Sequence, residues 1–280
     1  MIFKRIAIIG VGLIGGSLGL AVKKRNLARV VVGIGRRPSS VRKALRRGAI
    51  DIGTKDLAKG VAGADLVIIA TPVCSIPKIA RAIAGSLKEG AVLTDAGSTK
   101  GEVVRSVEGC ISPKTFFVGS HPLAGSEKRG VLFADEDLFR GSVVIMTKTK
   151  KTKGSAVKTL DRFWRSLGVA RVVIKSPEEH DRIVAEISHL PHLVATALIN
   201  SADKKSIEFA AAGFKDTTRI AASDPEVWRD ICITNKKEIL RTLDRYERHL
   251  LRLKAIIKKG RAEELYKEFA KSKSIREKLR

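Results

Sequence analysis

IAIIGVGLIGGSLGLAVKK, residues 6–24, sets the reading of the whole chain. The apolar run Ile6–Ile9 predicts a buried strand. Gly10-Val11-Gly12-Leu13-Ile14-Gly15 follows it directly and opens a predicted helix, Leu13–Lys24. A glycine triad is weak in isolation; a strand before it and a helix after it supply the context that points to a dinucleotide. Gly10 allows a tight turn, Gly12 lets a pyrophosphate approach the backbone, and Gly15 permits close helix–strand packing. The helix N-terminus, with Leu13 and Ile14 in its first turn, offers N–H groups to the anion. A Gly-rich turn without a ligand is the alternative.

Beyond this unit, β-branched runs alternate with amphipathic segments to about residue 175. The runs are Ile6–Ile9, Arg29–Ile34, Asp65–Ala70, Ala91–Asp95, Thr115–Gly119, Val143–Met146 and Arg171–Ile174. Helical segments such as Ser39–Arg47, Ile76–Leu87 and Ser155–Leu167 lie between them. Continuous apolar runs mark strands covered on both faces, and the alternation predicts a parallel, doubly wound α/β sheet. The stretch KTKKTK (148–153) reads as a solvated connection. At Ser176 the texture changes. Ser176-Pro177-Glu178-Glu179 is a helix start, with a capping hydroxyl, a first-turn proline and two acids at the positive end of the dipole. Helical patterns then run to the C-terminus. The expected division is an α/β dinucleotide-binding domain over 1–175 and an all-helical domain over 176–280.

An NAD site places Asp or Glu at the end of the second strand, about 20 residues past the glycines. Here that stretch is Val31-Val32-Gly33-Ile34-Gly35-Arg36-Arg37-Pro38-Ser39. Gly35 stands at the acid's position. Arg36 and Arg37, with Ser39, are suited to hold a 2′-phosphate through forked, charge-assisted hydrogen bonds. Two solvated surface arginines are the alternative. NADP is therefore the favoured cofactor and NAD the second choice. Thr71 and Pro72, just past the Asp65–Ala70 run, complete the expected cofactor set.

The 280 residues carry 54 Lys+Arg against 29 Asp+Glu, a formal charge of +25. Such an excess raises nucleic acid or an anionic small molecule as partner. Aromatics are only 5% of the chain and no helix-turn-helix is readable, so no nucleic-acid partner is expected. With 44% apolar residues a sizeable core can be buried, which excludes global disorder. The chain has no Gln, three Asn and two Met; this depletion suits a thermophile, so part of the charge is background. No run of about 18 or more apolar residues exists, and no membrane span is expected. MIFKRIAIIG lacks the layout of a signal peptide. Cys74, Cys110 and Cys232 are odd in number and widely spaced, which suits a reducing, cytoplasmic location and no disulfide framework.

Two segments lie just past predicted strands, where ligands of open α/β sheets sit: DAGSTK (95–100) and GSHPLAGSE (119–127). His121, at a strand end, is placed to take a proton from a hydroxyl while hydride leaves the same carbon, and an ordinary imidazole pKa suits that work. A structural histidine is the alternative. SHLPH (188–192) puts His189 and His192 at i, i+3 on one helix face, and Pro191 is expected to kink the chain and aim both into a cleft. Neither a cysteine cluster nor carboxylate spacing completes a metal site there, so no metal is expected. In GFKDTTRIA (213–221), Arg219 suits a carboxylate clamp or, equally, an ion pair with Asp216 or Asp224.

Taken together, GSHPLAGSE, SHLPH and GFKDTTRIA, in this order after the glycine motif, resemble the prephenate and arogenate dehydrogenases of tyrosine biosynthesis, over essentially the whole chain. The resemblance implies a Rossmann-type N-terminal domain and a helical C-terminal domain that forms a homodimer, with the active site between them. It implies that His121 accepts a hydrogen bond from the substrate's ring hydroxyl and that Ser98 orients that hydroxyl and the nicotinamide. Arg219 would bind a carboxylate of the dicarboxylate substrate, and His189, His192 and Ser126 would line its pocket. Glu127 falls at a position associated with active-site gating. The reaction implied is oxidative decarboxylation of prephenate to 4-hydroxyphenylpyruvate. Prephenate is favoured over arogenate because HLPH, with His192, resembles prephenate-using members. Gly35 and Arg36 depart from the acid of NAD-using relatives, and Ala212 stands where many have a second glycine. No chorismate mutase segment is expected before residue 1, and no regulatory domain after KSKSIREKLR (271–280), so tyrosine feedback would act at the active site.

Two other readings compete. A β-hydroxyacid dehydrogenase or imine reductase also pairs a dinucleotide domain with a helical one; the former would use Lys215 and leave the HLPH segment without a role. A basic, cofactor-sensing nucleic-acid binder lacks a reading surface. Residues 23–47 hold ten Lys/Arg and no acid, around the strand end where a 2′-phosphate would sit, and residues 236–280 hold 16 bases against 7 acids. The expectation is a field that steers anionic cofactor and substrate.

Overall fold

A computed structural model of the chain describes residues 2–125 and 128–279. Its first strand, β1 (Phe3–Ile9), explains the unbroken apolar run. Ile6 and Ile8 point into one core and Ala7 and Ile9 into another, so all four residues of the run Ile6–Ile9 are buried. The chain continues through α1 (Leu13–Lys24), β2 (Ala28–Ile34), α2 (Pro38–Arg46), β3 (Ile52–Thr54), α3 (Leu57–Val61), β4 (Leu66–Ile69), α4 (Ile76–Ile83), β5 (Val92–Asp95), α5 (Gly101–Glu108) and β6 (Phe116–Val118). The six strands form one parallel sheet in the order β3-β2-β1-β4-β5-β6. Strand order reverses between β1 and β4, which opens a crevice at their carboxyl ends. Register brings those ends level: Ile9 pairs with Ile34 and Ile69, and Ile69 with Asp95.

The later runs do not extend this sheet. At Gly119 the chain leaves it and enters β7 (Ser120–Pro122), which pairs antiparallel with β8 (Val143–Thr147). After α6 (Gly154–Ser166), β9 (Arg171–Lys175) pairs parallel with β8. Gly119 suits the crossing because a Cβ there would lie 2.6 Å from the Thr147 hydroxyl. His121 therefore sits on a strand, fixed by its pairing with Ile145.

The helical part opens on α7 (Pro177–Val184), where Ser176 and Glu179 form a reciprocal capping box. Pro191 has no N–H to return to the preceding turn, and the helix widens into a π turn over Ala185–His189 before α8 (Leu190–Ser201). Then come α9 (Lys204–Ile207), α10 (Ala212–Thr218), α11 (Pro225–Thr234), α12 (Lys236–Lys258) and α13 (Ala262–Glu277). The chain divides into two compact units, Met1–Lys236 and Lys237–Arg280, later than the change of texture at Ser176. Within the second unit, Arg252 on α12 pairs with Glu268 on α13 at 2.6 Å.

One stretch, Pro177–Ser201, is by length and composition apolar enough to cross a membrane, although it holds no run of 18 consecutive apolar residues. A count of consecutive apolar residues misses it because polar residues interrupt it. Three of these, His180, Asp181 and His189, are buried in the first unit.

Candidate active site

The glycine loop is built by close approach. Gly10 has φ +97°, and a Cβ there would lie 2.4 Å from the Ala70 carbonyl oxygen. A Cβ on Gly15 would lie 2.0 Å from the Gly10 carbonyl oxygen, while Gly12 has nothing within 4 Å on that side. A tight turn and a packing contact thus flank one open position. The first N–H groups of α1, on Leu13 and Ile14, have no intrahelical acceptor, and its first turn carries no acid. A cleft of about 970 Å³ spreads from this loop, lined among others by Gly10, Gly12, Arg36, Arg37, Thr71 and Pro72. Ser40 and Lys43 also line it; Ser39, one residue earlier on α2, is exposed and is not in the lining. A Cβ on Gly35 would lie 2.9 Å from Val41 and 3.3 Å from Val11, so a carboxylate at this position would have to displace core side chains.

At the end of β5, Asp95 and Lys100 form an ion pair of 2.6 Å with both side chains fully buried. The ammonium also donates to the carbonyls of Gly97 at 2.7 Å and Thr99 at 3.3 Å, which brackets Ser98. Asp95 accepts from the Gly97 N–H at 2.8 Å and the Ser120 N–H at 3.3 Å. The pair thereby ties the Ser98 loop to the strand that carries His121. Burial pushes the Asp95 carboxyl up, against the pull of Lys100.

Four of the five histidines are joined by contacts with one another or with shared neighbours that lead back to this loop. His121 Nδ1 lies 2.9 Å from His180 Nε2, and His180 Nδ1 lies 2.8 Å from Asp181 Oδ1. Asp181 accepts from the main-chain N–H groups of Lys100 at 2.7 Å and Gly101 at 2.8 Å. Its carbonyl accepts from Asn235 Nδ2 at 2.8 Å, and the same amide lies 3.2 Å from His189 Nδ1. His189 Nε2 is buried with no hydrogen-bond partner among the described residues. The His192 ring stacks on Trp228 at 3.6 Å and 23°, and its Nδ1 donates to the Ser188 carbonyl at 2.9 Å. Desolvation, then His180, Lys100 and His189, hold the His121 pKa well below 6.5. Burial does the same to His180 and lowers His189 to about 4. Burial lowers the His192 pKa, and the charge of Arg219, exposed at the end of α10, adds a smaller effect in the same direction.

Of the expected substrate residues, His121, His189 and His192 therefore lie in connected or adjoining surroundings. Ser98 lies on the bracketed loop, and Arg219 comes within electrostatic reach of His192. Ser126 and Glu127 lie outside the described residues. Sequence reasoning missed His180, Asp181, Asn235 and Trp228. His180-Asp181 was legible as an adjacent pair in a chain with few histidines, but it falls inside a helix start that already accounted for its neighbours. Among the described residues, no group of three or more His, Cys, Asp or Glu is placed to hold a metal ion.

A sequence profile described as the nucleotide-binding domain of prephenate dehydrogenase matches residues 18–174. One described as the dimerization domain of prephenate dehydrogenase matches residues 176–271. The prephenate dehydrogenase of Bacillus subtilis is 38% identical over 281 residues, 98% of this chain and 76% of that protein. The cyclohexadienyl dehydrogenase of Zymomonas mobilis is 35% identical over 285 residues, 98% of this chain and 96% of that protein. The crystal structure of prephenate dehydrogenase from Aquifex aeolicus, in complex with hydroxyphenyl propionate and NAD+, superimposes with a TM-score of 0.92. It is 35% identical and covers 99% of this chain and 98% of its own.

Proposed function

This chain belongs to the prephenate dehydrogenase family, and we propose that it catalyses the oxidative decarboxylation of prephenate to 4-hydroxyphenylpyruvate in tyrosine biosynthesis. The observation that carries the proposal is His121, held on β7 beside the Ser98 loop with its imidazole kept neutral by its surroundings. A neutral imidazole can take a proton.

The residues of the cleft fit a dinucleotide: Gly12 leaves its approach open, and the N–H groups of Leu13 and Ile14 suit a pyrophosphate. When bound there, the nicotinamide supplies the acceptor for the hydride that leaves ring carbon 4 of the substrate. His121 takes the hydroxyl proton from the same carbon, and Ser98 orients that hydroxyl. Carbonyl character at carbon 4 draws the electrons of the ring–carboxylate bond into the ring, CO2 departs, and the proton returns to the phenolic oxygen. Aromatisation makes the step effectively irreversible, so the protein need only position, deprotonate and bind two carboxylates. His189 is suited to that binding: its Nδ1 accepts from Asn235, so its unpartnered Nε2 carries the hydrogen. Arg219 supplies charge beside His192. Arg219→Ala is expected to raise KM for prephenate roughly 10–100-fold, the loss of a charge-assisted hydrogen bond. Steady-state kinetics check this, and an unchanged KM would return Arg219 to a structural role.

NADP is the proposed cofactor in preference to NAD. Support comes from Gly35 in place of an acid and from Arg36, Arg37 and Lys43 in the cleft lining. The expected result is a higher kcat/KM with NADP, reduced roughly 10–100-fold in the Arg36→Ala, Arg37→Ala double variant with little change for NAD. A tenfold or greater wild-type preference for NAD would sink the assignment. Arogenate is the second reading, kept by the relative named cyclohexadienyl dehydrogenase. Assays of both substrates with both cofactors separate them, and a higher kcat/KM for arogenate would overturn the prephenate proposal.

The proposed organisation keeps a cofactor-binding module over 1–175 and a substrate and dimerisation module over 176–280. The homodimer is proposed through the C-terminal helices, in a cytoplasmic enzyme. The match to a dimerization-domain profile supports it, as do Leu250, Leu251, Tyr266 and Phe269, large apolar side chains exposed on the second unit. The positive charge is read as steering for anionic ligands, with no nucleic-acid partner.

A further inference from the structure

His121 can act as a base only if the nitrogen that meets the substrate carries no hydrogen, and the groups behind it determine which nitrogen that is. Asp181 accepts main-chain N–H bonds on both carboxylate oxygens, from Lys100 and Gly101, and is therefore an acceptor toward its surroundings. His180 Nδ1, 2.8 Å from Asp181 Oδ1, must then carry the hydrogen and donate it. A neutral imidazole with its hydrogen on Nδ1 has only a lone pair on Nε2. Facing that lone pair at 2.9 Å is His121 Nδ1, which must donate in turn. The remaining nitrogen of His121, Nε2, is left as an acceptor.

We propose that His180 and Asp181 are positioning residues that hold His121 in its Nδ1–H tautomer, so that Nε2 is the proton acceptor of the reaction. The proposal rests on the reading of His121 as that acceptor. His180 suits the role because its side chain is fully buried. Burial, the nearby Lys100 charge and His189 also keep it neutral, and a protonated His180 would present an N–H to His121 in place of a lone pair. Asp181 is anchored at the first residues of α5, so the chain of hydrogen bonds runs from a helix start to the β7 strand without a mobile link. A carboxylate that orients an imidazole directly is a known device in acyl transfer. Here a second imidazole stands between carboxylate and base.

Two variants and one spectrum test this. His180→Met removes the acceptor at similar volume, whereas His180→Gln keeps an oxygen that can accept from His121 Nδ1. The expected result is a roughly 10²–10⁴-fold fall in kcat for His180→Met with KM nearly unchanged, and at least tenfold recovery in His180→Gln. In 15N-histidine NMR of the cofactor-free wild type, the His121 signals, assigned by their loss in His121→Asn, should report hydrogen on Nδ1 and none on Nε2. Hydrogen on Nε2 in that spectrum would overturn the proposal, as would a His180→Met enzyme whose kcat stays within about threefold of wild type. If His180→Met does not fold, the wild-type spectrum still decides. That spectrum needs no substrate, so failure of the tautomer assignment is distinct from failure of the prephenate reading, which a wild type inactive on prephenate would reveal.

Discussion

His121→Asn is expected to lower kcat by roughly 10²–10⁴-fold while cofactor affinity changes little. The size follows from the role proposed for the residue: a positioned base removes a proton as hydride leaves, and an amide of similar shape cannot. Cofactor affinity is spared because the cleft lining that begins at Gly10 and Gly12 does not include His121. The pH profile carries a second signature. Desolvation, His180, Lys100 and His189 depress the His121 pKa well below 6.5. The base form therefore persists as pH falls through 6.5, and the acid limb of wild-type kcat/KM lies below that value. A near-wild-type kcat in the variant would remove His121 from the mechanism, and an acid limb above 6.5 would contradict its electrostatic setting.

Lys100→Met is expected to destabilise the protein by about 3–5 kcal/mol, because it leaves the Asp95 carboxylate buried without its cation. The ammonium also holds the carbonyls on either side of Ser98, so activity should fall with stability. The sign of the pH dependence follows from Asp95. Burial already raises its folded-state pKa above 3.8, and loss of Lys100 raises it further. A raised carboxyl pKa means that the folded state is favoured by protonation, so the deficit of Lys100→Met shrinks as pH falls. Asp95→Asn in the Lys100→Met background removes the orphaned charge and should recover part of the loss. Denaturant unfolding measures all three, and a deficit below about 1 kcal/mol in Lys100→Met would show that the pair contributes little.

The cofactor half of the molecule was legible because its chemistry is local. A strand, the Gly10–Gly15 motif and a helix occupy residues 3–24, and the predicted helix Leu13–Lys24 matches the observed one. Strands buried on both faces announce themselves as unbroken apolar runs. The second sheet was not legible, because β7 is only three residues long and is defined by pairing with Val144–Met146, far along the chain. The same distance hid the polar network. Asp181 reaches Lys100 across 81 positions and Asn235 reaches Asp181 across 54, and no local pattern encodes either contact. Ser176 and Glu179 produced a clear helix-start signal that left His180 and Asp181 looking like ordinary residues of the first turns. At the cofactor site spacing points to Ser39, whereas Ser40 and Lys43 line the cleft, because successive residues of α2 face different directions around the helix. The change of texture at Ser176 marks where strands end; the boundary between compact units falls 60 residues later, at Lys236, since α7–α11 belong with the sheet.

The most direct test is a product balance on the wild-type chain supplied with prephenate and NADP, run beside His121→Asn. The prediction is one CO2 and one 4-hydroxyphenylpyruvate for each nicotinamide reduced, with the variant slower by roughly 10² or more. Prephenate left unconsumed by the wild type, or nicotinamide reduced without release of CO2, would contradict the account.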